Sequence, residues 1–341
     1  MTQQTNGKYL IGVDLGGTNV RAAVSDKTGR LLGDAREPSY AMSGFDITAG
    51  QIIKSIRGAM AAAGVSDSQL AGIGMGVPGT IKPKQGIVVW TPNFHEDWAN
   101  ANVVDPIRGD FGAPVFIGND ANVAALGEYW FGAGQGVNSL MMFTLGTGIG
   151  TGLVMDGKLW VGESEGATEF GHQVILADGP RCGCGRYGCL EALAGRTAII
   201  NRAQRKLHQG RDSLLLGMVN NEFPAITPAL IAEAAGKGDA VSVETLAETG
   251  YYIGLGVANV ITGLSVAMVV IGGGVSGAGD ALWQPMMRTI SANTLVQYLE
   301  VCGIVPSRLG DDVGIMGGIG LAMQEAAPNN RQPTTVNHQP T

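Results

Sequence analysis

Tyr9-Leu10-Ile11-Gly12-Val13-Asp14-Leu15-Gly16-Gly17-Thr18 is a short apolar run ending in a glycine turn, and Leu140-Met141-Met142-Phe143-Thr144-Leu145-Gly146-Thr147-Gly148 repeats the pattern. A second apolar run follows each, Val20 to Ser25 and Leu153 to Met155, so both read as strand, glycine turn, strand. Two copies of one hairpin predict two related lobes, in line with 341 residues at roughly 150 per domain. Outward from the first copy, Ile52, Ile53, Ile56 and Met60 recur at helical spacing and Gly64 closes that helix. Leu70 to Val77 reads as a buried strand stopped by Pro78-Gly79, and Pro114 to Gly118 as another, leading through Asn119-Asp120 into a helix ending near Phe131. Further on, Thr227-Pro228 opens a helix that Gly236 closes, and Asp239 begins a long one. Ala267 to Ile271 is a strand before Gly272-Gly273-Gly274, and Gly314 to Gln324 is a last helix of small residues. Strands alternate with helices, which is the α/β class.

The composition is 45% hydrophobic and 15% charged, enough to bury a sizeable core and far from a disordered chain. The net charge of -7, with no basic block, argues against a nucleic-acid surface. The 54 glycines have no three-residue period, which excludes a collagen. Met1 to Lys8 is polar and lacks the apolar centre of a secretory signal. Gly250 to Gly279 carries no charge, but glycines and Asn259 interrupt it before the about 20 apolar residues a membrane span needs. It reads as a buried helix followed by a buried strand, and the expected compartment is the cytoplasm, with no membrane partner. Pro328 to Thr341 is polar, contains proline and has no periodicity, so a disordered tail is expected there.

The sharpest chemical signal is Glu169-Phe170-Gly171-His172 followed by Cys182-Gly183-Cys184-Gly185-Arg186-Tyr187-Gly188-Cys189. His172, Cys182, Cys184 and Cys189 make a closed tetrahedral set for Zn2+, structural rather than hydrolytic because no position is left open. Reduced core cysteines are the plainer explanation, yet Cys182 and Cys184 flank a single glycine with Cys189 close behind, a spacing that suits a metal better. Cys302 stands apart and reads as core. Alone, Asp14-Leu15-Gly16-Gly17-Thr18 could be a mere hairpin turn. With its copy around Thr147 and Gly148 it suggests phosphate clamps, backbone N–H groups against phosphate oxygens, with Asp14 holding Mg2+ through water. No Gly-x-x-x-x-Gly-Lys-[Ser/Thr] sequence is present, so any nucleotide is bound without that loop. Asp120, after Asn119 at a strand-to-helix junction, is ordinarily an N-cap; in function it could be a general base for a hydroxyl undergoing phosphoryl transfer. Glu169 and Glu191 flank the cysteine cluster, and a metal-pinned loop would hold them as fixed acceptors for a polyol. Trp90, Trp98, Trp130, Trp160 and Trp283 are isolated and read as core, and His95 and His208 have no partner pattern.

Together these segments resemble the ROK family of sugar kinases, from about Tyr9 to Gln324. The resemblance rests on Asp14 to Arg21, Gly118 to Glu128, Leu145 to Gly152, Glu169 to His172 and Cys182 to Glu191. It implies an actin-like ATPase fold of the hexokinase and actin superfamily, two lobes around a cleft. The smaller lobe would span residues 1–118 with about 309–327, and the larger 119–308 with the zinc loop. By the same resemblance Asp120 is the catalytic base. Gly79, Asn119, Asp120, Glu169, His172 and Glu191 bind the sugar, and Asp14, Gly16, Gly17, Thr18, Thr147, Gly148, Gly272 and Gly273 line a site for ATP with Mg2+. The implied reaction is phosphorylation of glucose at its 6-hydroxyl to give glucose 6-phosphate, in a homodimer or homotetramer. Another hexose (fructose, mannose or N-acetylmannosamine) or polyphosphate as donor stays open. So does a non-enzymatic sugar sensor, although the family's repressors carry a DNA-binding domain for which Asp14 leaves no room. One departure stands out: the family has Gly before the Glu of its Glu-x-Gly-His segment, and this chain has Thr168.

Overall fold

Tyr9–Leu15 (β1) and Asn19–Ser25 (β2) form the expected antiparallel hairpin, and Leu31–Pro38 (β3) continues it as a meander. Helix Phe45–Ala63 (α1) follows, ended by Gly64 at φ 67, and then comes the wholly buried strand Leu70–Val77 (β4). Thr80–Lys82 (β5), Ile87–Trp90 (β6) and Ala101–Asn102 (β7) make a small separate sheet. Val104–Phe111 (α2), Val115–Asn119 (β8) and Asp120–Phe131 (α3) come next. The second hairpin is Ser139–Leu145 (β9) and Ile149–Met155 (β10), with Lys158–Leu159 (β11) paired antiparallel to β10. A helical stretch follows: Leu190–Ala194 (α4), Arg196–His208 (α5), Leu214–Met218 (α6), Pro228–Gly236 (α7) and Ala240–Leu264 (α8). Met268–Gly272 (β12), Asp280–Asn293 (α9), Val296–Leu299 (α10), Gly303–Pro306 (β13) and Val313–Ala326 (α11) complete the chain. This computed structural model describes residues 8–326, so the expected tail at 328–341 lies outside the described residues.

The echo read from the sequence extends to sheet topology. One sheet runs β3-β2-β1-β4-β8 and the other β11-β10-β9-β12-β13, so each sets a three-strand meander beside two later strands. Those later strands run parallel in both sheets, β4 with β8 and β12 with β13. The chain folds as two compact units. Among the described residues the first holds 8–140, 152–168 and 308–326, and the second holds Met141–Thr151 and Glu169–Ser307. This differs from the boundary expected after Gly118, because α3 packs with the first unit. A Cβ on Gly127 of α3 would lie 2.7 Å from the Gly317 nitrogen of α11, so bare backbone meets bare backbone there.

Ile11, Val13, Ile73, Met75 and Val77 are fully buried in the first unit, each worth about 1.5–3 kcal/mol of burial. Helix α11 lies directly on the sheet: a Cβ on Gly74 would meet the Gly318 carbonyl oxygen at 2.0 Å, so any side chain would push the helix away. In the second unit α8 starts at Asp239, whose carboxylate accepts from the Ser242 N–H at 2.9 Å, a cap of about 1 kcal/mol. Its glycine-rich face packs against α9, with a Cβ on Gly250 meeting the Leu282 carbonyl at 2.4 Å. Gly250 to Gly279 is thus a buried helix and strand, as read. No helix among the described residues is long and apolar enough to cross a membrane.

Candidate functional site

In the first unit β1 ends at Asp14 and Leu15, and the Gly16 N–H closes the turn on the Asn19 carbonyl at 2.9 Å. That short closure leaves Gly17 and Thr18 exposed. Asp14 pairs in register with Arg21, and its carboxylate packs on Gly314 in the first turn of α11, where a Cβ would lie 2.5 Å from its carboxyl carbon. Burial pushes the Asp14 carboxyl above its ordinary range, against the pull of Arg21 and Arg36. A half-buried carboxylate beside an open glycine turn is a donor suited to a hydrated Mg2+.

The second group of the first unit sits where β4 and β8 end side by side, Val77 in register with Asn119. Gly79 turns the chain at φ 98, and a Cβ there would meet the Trp90 carbonyl oxygen at 2.2 Å, so only glycine fits. Asn119 Nδ2 donates to the Gly79 carbonyl oxygen at 3.1 Å. Its Oδ1 accepts from the N–H groups of Ala121 at 3.0 Å and Asn122 at 3.3 Å, so Asn119 is the N-cap of α3. The ordinary capping role considered for Asp120 therefore belongs to its neighbour. Asp120 is the first helical residue, with Oδ1 2.8 Å from the Ala121 N–H.

In the second unit the Gly146 N–H donates to the Gly148 carbonyl at 3.0 Å, making a turn with Thr147 exposed at its tip. Glu191, at the start of α4, accepts from the Ile149 N–H at 3.0 Å and packs on Gly148, so it is tied to this turn. Gly272 ends β12, and Gly273 lies against the Leu145 backbone, beside the same turn. Glu169 leads a single 3-10 turn through His172. The turn is pinned to β10 by the Phe170 N–H on Thr151 Oγ1 at 3.0 Å and by Gly171 against the Ile149 carbonyl. Solvent reaches Glu169, yet surrounding protein displaces enough of its hydration to raise its pKa; Glu191 adds to the rise and His172 opposes it.

His172, Cys182, Cys184 and Cys189 gather as the sequence suggests, their ligand atoms all within 4.8 Å of one another. Cys182 Sγ lies 3.5 Å from His172 Nδ1, and the Cys184 and Cys189 sulfurs are 3.7 Å apart. The edges of a zinc tetrahedron with Zn–S of about 2.3 Å and Zn–N of about 2.0 Å are about 3.5–3.8 Å, so the donor set fits that ion. The sulfur separation also rules out a disulfide, which needs about 2.0 Å. The loop is shaped by the Cys182 N–H on the Arg186 carbonyl at 2.7 Å and the Gly188 N–H on the Pro180 carbonyl at 2.8 Å. Without metal the thiols differ. Backbone N–H donation from Arg186 lowers the exposed Cys184 to about 6, and burial pushes Cys182 up to about 12.

The contacts of three residues escape sequence reasoning. Glu128 on α3 is fully buried and accepts from the N–H groups of Ala133, Arg308 and Leu309 at 2.7, 2.9 and 3.0 Å. Its position in the stretch Gly118 to Glu128 was visible; its distant partners were not. Asn93, at φ 63, sits beside Gly17. Thr168, buried and at φ 72, has its hydroxyl between Asn122 Oδ1 at 3.0 Å and the Ala167 carbonyl oxygen at 2.5 Å. A β-branched residue in that region costs about 1–3 kcal/mol of backbone strain.

The ROK family model matches residues 10–325. A glucokinase of Thermotoga maritima is 34% identical, the match covering 92% of this chain and 96% of that protein. A xylose repressor of Caldicellulosiruptor bescii is 30% identical over 93% of this chain and 78% of its own length. The solved structure of a ROK family glucokinase from Streptomyces griseus, in complex with glucose and AMPPNP, superposes with a TM-score of 0.78 at 32% identity, covering 93% of this chain and 99% of that one. On the family match, these identities and the paired sheet topology, the chain belongs to the ROK family and has the actin-like ATPase fold.

Proposed function

We propose that the protein is a sugar kinase that transfers a phosphoryl group from ATP to a hexose, with glucose as substrate and its 6-hydroxyl as acceptor. The observation that carries this reading is the junction of β8 and α3, where Asn119 caps the helix and Asp120 follows as its first residue. Asp120 accepts the proton of the attacking hydroxyl, a contribution of about 10²–10⁴ in rate. The rest is positioning and charge neutralisation. Gly79, Asn119, Glu169, His172 and Glu191 bind sugar hydroxyls. The turns at Gly16, Gly17 and Thr18 and at Thr147 and Gly148, with Gly272 and Gly273, line the nucleotide site, their N–H groups suiting phosphate oxygens. Mg2+ near Asp14 would neutralise phosphate charge, and Zn2+ on His172, Cys182, Cys184 and Cys189 would brace the loop that carries Glu169 and His172. The reading implies a cytoplasmic enzyme and a homodimer or homotetramer.

Similarity to glucokinases from Thermotoga maritima and Streptomyces griseus supports glucose. The xylose repressor relative favours a second reading, a sugar-binding sensor without turnover. ADP release measured with glucose, mannose, fructose, N-acetylmannosamine and xylose, and product formation with ATP or polyphosphate as donor, separates them. The kinase reading expects ATP-dependent turnover highest with glucose. Sugar binding without turnover on any of them would favour the sensor.

A further inference from the structure

Thr168 ends the segment Gly152–Thr168 of the first unit, and Glu169, which follows it, begins the segment Glu169–Ser307 of the second. Its backbone is left-handed at φ 72, a conformation open to glycine and unfavourable for a β-branched side chain. Such a residue persists only where its surroundings over-determine it. Here they do: Thr168 is 6% exposed, and its hydroxyl is held between two acceptors, Asn122 Oδ1 at 3.0 Å and the Ala167 carbonyl oxygen at 2.5 Å. Asn122 is itself buried and lies in the first turn of α3, the helix that Asp120 opens. Just before it the chain is closed on itself by the Ala167 N–H on the Val161 carbonyl at 3.0 Å, and Glu165, also left-handed at φ 60, pairs with Lys84 at 3.1 Å. The run into Glu169 is therefore held within the first unit at successive points, the last being the side-chain contact of Thr168 with Asn122 of α3.

We propose that Thr168 is a positioning residue for sugar selection: its bond to Asn122 fixes the backbone from which Glu169 springs, and so which hexose hydroxyls that carboxylate accepts. This rests on the sugar-kinase reading for Glu169. The anchoring itself does not.

Thr168→Gly removes the hydroxyl while relieving the backbone, so the variant folds; Thr168→Ala removes the hydroxyl and keeps the Cβ; Thr168→Ser keeps the donor. In T168G and T168A the KM for the preferred hexose rises about tenfold and discrimination against its epimers falls, while the KM for ATP stays within about threefold. T168S stays near the wild type in both. An unchanged hexose KM in T168G, or equal rises for hexose and ATP, would overturn the proposal. Amide hydrogen exchange across residues 169–172 reads the anchoring without turnover. It speeds up in T168G and T168A and not in T168S, and equal exchange in all four proteins would overturn the anchoring. A wild type that turns over no sugar would remove the kinase reading and the selection role with it, while the exchange data still decide whether Thr168 anchors the loop.

Discussion

Asn119 donates from Nδ2 to the carbonyl oxygen of Gly79 across 3.1 Å, joining the end of β8 to the turn after β4. The same side chain caps α3 through Oδ1. The two roles separate by substitution. Asn119→Ala loses both and is less stable in urea by about 1–2 kcal/mol. Asn119→Asp keeps the capping acceptor, loses the donor, and is closer to the wild type in stability. Both variants raise the hexose KM, because in both the Gly79 turn is released. Urea melts beside sugar titrations measure the split, and a hexose KM restored in N119D would remove the Gly79 contact from the account.

Glu128 holds three backbone N–H groups in a fully buried place, two of them where the chain re-enters the first unit at Arg308 and Leu309. Glu128→Ala leaves these donors without an acceptor and costs on the order of 3 kcal/mol. Calorimetric melting should show a large loss of Tm.

Asp14 gives a pH dependence whose sign follows from burial. Its carboxyl titrates higher in the folded chain than in the unfolded one. The stability linked to this group is therefore complete below the unfolded pKa and is lost as the pH rises through the folded one. Asp14→Asn removes that loss, so the variant gains stability relative to the wild type near neutral pH and loses the advantage as the solution is acidified toward about pH 4. Its turnover should fall even where it is more stable. Melts across this range check the prediction, and an advantage that grows on acidification would contradict it.

The cysteine loop should show its metal by protection. With zinc bound, iodoacetamide reacts poorly with all four ligand residues. After chelation Cys184 is alkylated first, since its thiol sits at about 6, and Cys182, at about 12, is last to react. Peptide mapping after timed alkylation gives the order. Metal analysis of the untreated protein should find one zinc per chain.

Much of this was legible because it is local. The glycine turns, the caps at Thr227 and Asp239, and the His172 and cysteine cluster are each specified by neighbours in sequence, and the structure forms all of them. The small sheet of β5, β6 and β7 was invisible, since strands this short carry no usable alternation. The packing of α3 was not legible because its partner, α11, lies at the far end of the chain and meets it through glycines. The Asn119 cap went unrecognised because Asn and Asp are both good caps and only geometry chooses between adjacent ones. Trp98 is buried as read, while Trp90 is exposed, a difference no isolated tryptophan announces.

The central claim is that Asp120 takes the hydroxyl proton, and Asp120→Asn tests it most directly. Sugar binding by calorimetry and turnover by ADP release are measured on the same preparation. The account predicts glucose affinity within about threefold of the wild type and kcat lower by about 10²–10⁴. A variant that binds glucose and still turns over at near wild-type rate would contradict it.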